Sequence, residues 1–251
     1  MVESKMNIAI CAMVKDEPDL REWMAWHFLI GVDRVFLYDN GSHQRVVVNN
    51  PNVIMHGWAG KGEQCRIYNH ALTTYGQRFN WMAFIDADEF IYPVSEPLKD
   101  IMADYNHVGG LAVHWALFGS SGHLTRQPSV IDAYTHRAPF SDNASRLVKT
   151  ICQPHAVRKF DSTHWARYQP NYFAVDENQY RVPMGKEAFT GSRIRLNHYF
   201  CRSREDMQQK CVRGWGFANQ KRTMPEMEKF DARCTVEDTG MKDLRRKLCS
   251  P

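Results

Sequence analysis

The sequence predicts an α/β fold with a mainly parallel central sheet and helices on both faces. In the first hundred residues, apolar strand-like stretches alternate with helix-like stretches, as in a doubly covered parallel sheet. The first strand-like stretch is apolar throughout, as expected for a strand buried on both faces. Polar side chains directly follow three of these stretches, which predicts a ligand site at one edge of the sheet.

Each element of this first part has its own sequence signal. "NIAICAMV" (7–14) predicts a strand, and residues 15–31 predict a helix with Pro18 in its first turn and Gly31 at its end. Residues 33–42 predict a strand closed by an Asp-Asn-Gly-Ser turn. The further elements predicted here are a strand over 52–58, a helix over 62–76 and a strand over 80–92.

The pattern is less regular after residue 100. Residues 109–123 predict a strand that leads into a Gly/Ser-rich loop, and residues 124–190 give no clear pattern. Residues 193–216 predict a strand, a turn and a helix that opens at Ser203 with Asp206 in its first turn. Because we find neither repeats nor linkers, we predict one domain over residues 1–251.

Composition excludes several classes of protein. The 251 residues are 43% hydrophobic and 24% charged, which is typical of a globular protein. A net charge of +4 is too weak and dispersed to predict nucleic-acid binding. Seven cysteines without a CxxC pair predict reduced thiols, and we find neither a signal peptide nor a transmembrane stretch. We therefore expect a cytoplasmic protein, with at most weak membrane contact through its basic end "MKDLRRKLCS".

The stretch "WMAFIDADEFIY" (81–92) gathers three carboxylates, Asp86, Asp88 and Glu89, at the end of an apolar run. Asp-x-Asp at the end of a strand suits Mg²⁺ or Mn²⁺, which take carboxylate oxygens and substrate phosphates. Solvated acids at the end of a strand are the alternative. Lys15-Asp16-Glu17 and Asp39-Asn40 follow two other predicted strands, and this favours a shared ligand site over isolated surface charges.

Several motifs accompany the acidic stretch in a fixed order. They are Lys15-Asp16-Glu17, Glu22-Trp23, Gly31-Val32-Asp33, Tyr38-Asp39-Asn40, residues 86–90, residues 115–123, and His198-Tyr199 followed by Ser203, Lys210 and Arg213-Gly214. The set resembles the GT-A glycosyltransferases, including those of family 2, and more closely glycosyltransferase family 92, also called domain of unknown function 23. The resemblance covers residues 7–216, with the least clear part over 124–190.

The resemblance implies a division of the chain into a nucleotide-sugar-binding half (7–100), an acceptor-binding half (109–216) and a C-terminal tail (217–251). It implies Mn²⁺ or Mg²⁺ bound by Asp86, Asp88 and His198, with His164 as the rival third ligand. The residues expected to bind the UDP-sugar donor are Lys15, Glu17, Asp39, Asn40, Gln64, Asp86, Lys210 and Arg213. The alternatives are an Asx turn for Asp39, a core position for His198 and a solvated helix face for Lys210 and Arg213.

Acceptor binding is expected in the second half. Trp faces stack on sugar rings and short polar side chains bond to their hydroxyls, so we predict an acceptor site of Trp115, Phe118, Ser120 and His123, with a core position for Trp115 as the alternative. Glu89 is expected either to contact the acceptor or to orient the acids of the metal site, and a solvated surface residue is its alternative. An inverting enzyme needs a general base near the acceptor hydroxyl. We predict Asp142 for this role, among the acids Asp132, Asp142, Asp161, Asp176 and Glu177.

The resemblance implies a metal-dependent transferase that moves a hexose, plausibly galactose, from a UDP-sugar to a glycan hydroxyl with inversion. A nucleotidyltransferase using the same acids is one alternative, although it should carry a Gly-rich phosphate loop where Lys15-Asp16-Glu17-Pro18 stands. A noncatalytic sugar-binding module is the other alternative.

Overall fold

A nine-stranded mixed sheet forms the centre of the chain in the computed structural model, which describes residues 6–44, 46–183, 188–213 and 222–250. The strands are β1 (Ile8–Val14), β2 (Arg34–Asp39), β3 (Val53–Gly57), β4 (Trp81–Phe84), β5 (Glu89–Pro93), β6 (Gly110–Leu117), β7 (His136–Arg137), β8 (Val148–Cys152), β9 (Val157–Phe160), β10 (Ala166–Tyr168), β11 (Ala174–Val175), β12 (Ile194–His198) and β13 (Val236–Glu237). The helices are α1 (Leu20–Leu29), α2 (Gln64–Tyr75), α3 (Leu98–Ala103), α4 (Val130–Ala133), α5 (Arg204–Arg213), α6 (Met224–Asp231) and α7 (Gly240–Cys249).

The sheet runs in the order β3-β2-β1-β4-β8-β6-β12-β5, with β11 beside β6. Its pairings are parallel between β3, β2, β1 and β4 and between β6 and both β12 and β11. The β4–β8, β8–β6 and β12–β5 pairings are antiparallel. The predicted α/β class with a mainly parallel sheet is confirmed.

Helices cover both faces of the sheet. Alternate residues of a strand point to opposite faces. Ile10 of β1 packs in the same apolar cluster as Trp23 of α1, whereas its neighbour Cys11 packs with Tyr68 of α2. β1 is therefore buried on both sides, as its uninterrupted apolar sequence predicts.

Two of the predicted elements differ in the structure. The helix predicted over 15–31 begins only at Leu20, because Asp16 takes a left-handed backbone conformation (φ 47°) in the turn after β1. The single strand predicted over 80–92 is wrong. β4 ends at Phe84 beside β1, the chain turns over 85–88, and β5 begins at Glu89 at the far edge of the sheet. Asp86 and Asp88 thus lie in a turn between two strands.

Residues 222–250 of the segment predicted as a tail pack onto the body of the protein. β13 pairs with β7, and Met241 of α7 is buried. Asp231 of α6 accepts hydrogen bonds from the amide and hydroxyl of Ser120. Over the described ranges, none of the helices has the length and apolar composition needed to cross a membrane.

Candidate active site

A cavity of about 890 Å³ opens at the carboxyl ends of three neighbouring parallel strands. Glu17 lines it after β1, Asn40 after β2, and Asp86 and Asp88 after β4. The strand order places the three loops side by side, because parallel strands deliver their carboxyl ends to the same edge. The prediction of polar groups gathered at one edge is confirmed for these residues.

The carboxylate of Asp86 is held from two sides. Lys149 of β8 donates to Oδ2 at 2.9 Å, and Gln64 of α2 donates to Oδ1. Burial raises the pKa of Asp86, but Lys149 more than offsets it, and the pKa falls below its usual value. The side chain of Asp86 therefore carries its charge at neutral pH while remaining 34% exposed toward the cavity.

Asp88 contacts two further elements of the second half. Lys210 of α5 donates to its Oδ2 at 2.6 Å, and Nε2 of His198 of β12 lies 3.5 Å from its Oδ1. Burial raises the pKa of Asp88, but the charges of Lys210, His198 and Arg202 hold it well below its usual range. Burial lowers the pKa of Lys210, and the neighbouring charge of Arg202 lowers it as well, whereas Asp88 raises it.

Glu89 does not lie where an acceptor would reach it. Its side chain is fully buried, and its Oε2 accepts a hydrogen bond from the amide of Asp86 at 2.8 Å. Burial raises the pKa of Glu89 well above its usual value. The acceptor-binding role predicted for Glu89 is wrong, because this side chain braces the turn that carries the two aspartates.

Of Asp39 and Asn40, the two polar residues at the carboxyl end of β2, only Asn40 lines the cavity. The Nδ2 of Asn40 donates to the carbonyls of Trp58 and Gly60, both at 2.8 Å, and so ties the loop after β3 to the cavity edge. Asp39 turns back on its own loop, where its Oδ1 accepts from the amide and hydroxyl of Ser42. The structure therefore favours the Asx-turn alternative for Asp39.

Lys15 and Glu17 both line the cavity, as the prediction required. Glu17 accepts from Arg202 at 2.6 Å, and the same guanidinium contacts Asp19 at 2.7 Å. Arg202 is 2% exposed and follows β12, so this ion pair joins the loop after β1 to the segment that carries His198. The loop after β1 is therefore fixed against the second half of the protein.

Among the remaining residues predicted to bind the acceptor, only Trp115 lines the cavity, where its ring packs 4.3 Å from that of His198. Phe118 is 1% exposed in the core, Ser120 is bound to Asp231, and the ring of His123 contacts the carbonyl of Ala133. None of these three side chains lines the cavity, although Leu117, the last residue of β6, does.

The structure gives Asp142 a different role from the predicted general base. Its carboxylate accepts from the amide of Ala144 at 2.8 Å and pairs with Arg233 at 2.9 Å. It thereby caps the short 3-10 turn over Asn143–Arg146. Asn143 and Ala144 line the cavity, but Asp142 does not.

The two candidate histidines differ in how their rings are held. Both line the cavity. His164 Nδ1 donates to the carbonyl of Val148 at 2.9 Å, which leaves Nε2 as an acceptor. Burial, together with the nearby charge of Lys149, lowers the pKa of His164 to about 4. His198 has its Nε2 3.5 Å from Oδ1 of Asp88, and this short distance favours it over His164 as a third ligand.

Lys149 and Arg202 are the main residues that sequence reasoning missed. Lys149 interrupts an apolar strand, "LVKTIC", and a buried lysine requires a carboxylate partner. A lysine within an apolar strand can be recognised in the sequence, but the sequence does not show which carboxylate pairs with it, because Asp86 is 63 residues away. The side chain of Arg213, predicted to bind the donor, lies outside the described residues.

The family model described as glycosyltransferase family 92 matches residues 63–233, which is more than half of the sequence. The chain belongs to glycosyltransferase family 92. The match includes the acidic turn, β8 with Lys149, and β12 with His198. The family resemblance stated from the sequence motifs is confirmed.

Family 92 proteins of plants are similar to this chain over part of their length. A relative from Arabidopsis thaliana is 32% identical over 58% of this chain and 29% of its own length. One from Oryza sativa subsp. japonica is 31% identical over 60% of this chain and 27% of its own length. One from Ricinus communis is 28% identical over 95% of this chain and 46% of its own. The chain thus spans less than half the length of these family 92 relatives.

A solved structure, S. aureus TarS 1–349, aligns with 91% of this family 92 chain and 70% of the other chain. The TM-score is 0.44 and the sequence identity is 16%.

The acidic turn of this family 92 chain fits a divalent cation in its donor chemistry. Asp88 and His198 lie 3.5 Å apart, and Asp86 lies on the same cavity. Carboxylate oxygens suit Mn²⁺ and Mg²⁺. Within the described ranges, no three His, Cys, Asp or Glu side chains converge on one point. A bound ion would therefore take ligands from substrate phosphates and water as well, as Mg²⁺ commonly does.

Proposed function

We propose that this chain is a metal-dependent hexosyltransferase that uses a UDP-sugar donor and a glycan acceptor. The observation that carries the proposal is the convergence of Asp86 and Asp88 with Glu17 and Asn40 on one cavity at the carboxyl ends of the sheet. Nucleotide ligands bind in that position in open α/β sheets. Family 92 membership supports glycosyl transfer. The resemblance of the sequence motifs to this family implies that galactose is the transferred sugar and that its anomeric centre is inverted.

The chain's own residues support binding of a diphosphate beside the acidic turn. Gln64 and Lys149 fix the orientation of Asp86, and Lys210 fixes that of Asp88. A bound Mn²⁺ or Mg²⁺ would act as a Lewis acid toward the leaving diphosphate. Lysine charges held in advance also favour the negative charge that develops on that group, because they need no reorganisation during the reaction.

The acceptor would enter beside Trp115 and His164. Both side chains line the cavity, and their ring centroids are 5.3 Å apart. The apolar ring of Trp115 offers a face to a sugar, and Nε2 of His164 can accept a hydrogen bond from a sugar hydroxyl. Direct displacement by that hydroxyl would invert the anomeric centre of the transferred hexose.

A screen of nucleotide sugars for hydrolysis and transfer, with and without Mn²⁺, tests the proposal. We expect one UDP-hexose to be consumed only with Mn²⁺. Asp88→Asn should abolish turnover while the variant stays folded, although its thermal unfolding temperature should fall because Lys210 loses its carboxylate partner. The matched control Asp243→Asn, on the exposed face of α7, should change neither turnover nor the unfolding temperature. Wild-type turnover in Asp88→Asn would contradict the metal role.

The same preparation separates the alternatives. A nucleotidyltransferase would release pyrophosphate from a nucleoside triphosphate in the presence of a sugar phosphate. A noncatalytic sugar-binding module would show no thermal shift with UDP plus Mn²⁺.

A further inference from the structure

Each of the two aspartates in the acidic turn forms an ion pair with a lysine. Lys149 Nζ lies 2.9 Å from Asp86 Oδ2, and Lys210 Nζ lies 2.6 Å from Asp88 Oδ2. The two lysines are 1% and 5% exposed. Two carboxylate charges and two ammonium charges therefore cancel within this cluster.

This charge balance determines which ligand the cluster can bind at low cost. A lone divalent ion would leave the half-buried cluster with two uncompensated positive charges, and such charge is costly where few waters can solvate it. A nucleoside diphosphate that arrives with the ion brings negative charge that offsets it. The charge balance thus favours the ion and the diphosphate together over the ion alone.

Lys210 is the cation that would oppose the ion most directly, because both would use Asp88. The carboxylate presents Oδ2 to Lys210 and Oδ1 to His198. The ammonium is also held by the carbonyl of Phe200 at 2.7 Å and lies 5.2 Å from the centre of the Phe200 ring. These contacts fix the lysine charge beside Asp88.

We propose that Lys210 keeps the divalent-ion site weak until a nucleoside diphosphate binds, so that the ion enters with the diphosphate. This inference rests on the metal dependence in the proposed function. It assigns Lys210 a positioning and charge-balancing role, whereas the sequence predicted direct binding of the donor.

Binding of Mn²⁺ to the full chain, followed by the electron paramagnetic resonance signal of free Mn²⁺, tests the inference with and without UDP. Wild-type protein should bind Mn²⁺ much more tightly with UDP than without it. Lys210→Met should tighten Mn²⁺ binding without UDP by about tenfold or more, because a like charge next to the ion is removed. The matched control is Lys229→Met, an exposed lysine on α6, and it should change nothing.

A second variant, Lys210→Gln, keeps the test decisive if Lys210→Met fails to fold. Lys210→Gln keeps a hydrogen-bond donor for Asp88 and Phe200 without the charge, and it should tighten Mn²⁺ binding in the same direction. Unchanged or weaker Mn²⁺ binding in the folded Lys210 variants, with normal UDP-dependent binding in wild type, would overturn this inference alone. No Mn²⁺ binding by wild type even with UDP would overturn both this inference and the metal dependence.

Discussion

Lys149 Nζ lies 2.9 Å from Asp86 Oδ2, although the lysine stands in an apolar strand and is 1% exposed. The same ammonium lies 3.8 Å from Oε1 of Glu89, which has no hydrogen-bond partner among the described residues. A cation buried beside two carboxyl groups lets the acidic turn exist at the edge of an apolar core. Without it, Asp86 would lose the cation that offsets both its burial and the negative charge of Asp88.

We expect Lys149→Met to lower the free energy of unfolding by about 2 kcal/mol, because it leaves buried carboxyl groups without their cation. This expected loss of stability is smaller than for a fully buried ion pair, since the side chain of Asp86 is 34% exposed. Urea unfolding measures it. The double variant Lys149→Met with Asp86→Asn should lose less unfolding free energy than the two single variants lose together. Losses that add exactly would show that the two side chains do not interact.

Asp142 should prove to be a structural residue. Asp142→Ala removes the cap of Ala144 and the pair with Arg233, which should cost about 1 kcal/mol of stability. We expect transfer activity to fall by less than about tenfold, whereas loss of a general base typically costs about 10²–10⁴-fold. Steady-state kinetics of Asp142→Ala and of Asp142→Asn, which can keep the cap, decide between these roles.

We expect Asp39 to stabilise its own loop and to contribute little to nucleotide affinity. Asp39→Ala removes the acceptor for the amide and hydroxyl of Ser42 and should cost about 1 kcal/mol of stability. Asp39→Asn retains an oxygen for both bonds and should unfold like the wild type. Calorimetric titration should give nearly equal UDP affinities for wild type and Asp39→Asn, and a large loss would restore the predicted donor-binding role.

Glu177 should make stability depend on pH. Burial raises its pKa, but hydrogen bonds from Ser192 and from the amides of Arg193 and Ile194 bring it below its usual value. The folded carboxylate therefore adds stability above the pKa of the unfolded chain, and this is lost as pH falls through the folded pKa.

Glu177→Gln should accordingly lower the free energy of unfolding by about 2 kcal/mol at neutral pH, since charged acceptors make the stronger bonds. The difference from wild type should shrink at about pH 3.5, where the unfolded glutamate is mostly protonated. Urea unfolding at both pH values measures it, with the exposed Glu237→Gln as control. A difference that grows on acidification would show the opposite sign and contradict the assignment.

The sequence by itself determined the α/β class, the order of the first elements, the cluster of acids after an apolar strand and the family. These features are local or nearly so: an apolar run, a turn signal or an ordered motif can be read without knowing what packs against it. The helix opening at Ser203 is one example, since its hydroxyl accepts from the amide of Asp206 three residues later.

The tertiary structure alone decided which polar groups share the cavity. Asp39 and Asn40 are adjacent in the sequence, yet only Asn40 faces the cavity. Lys149 and Lys210 reach the acidic turn from strands and helices 63 and 122 residues away. The charge on a carboxylate depends on these distant partners and on burial, because both act through space, and no local pattern of residues encodes them.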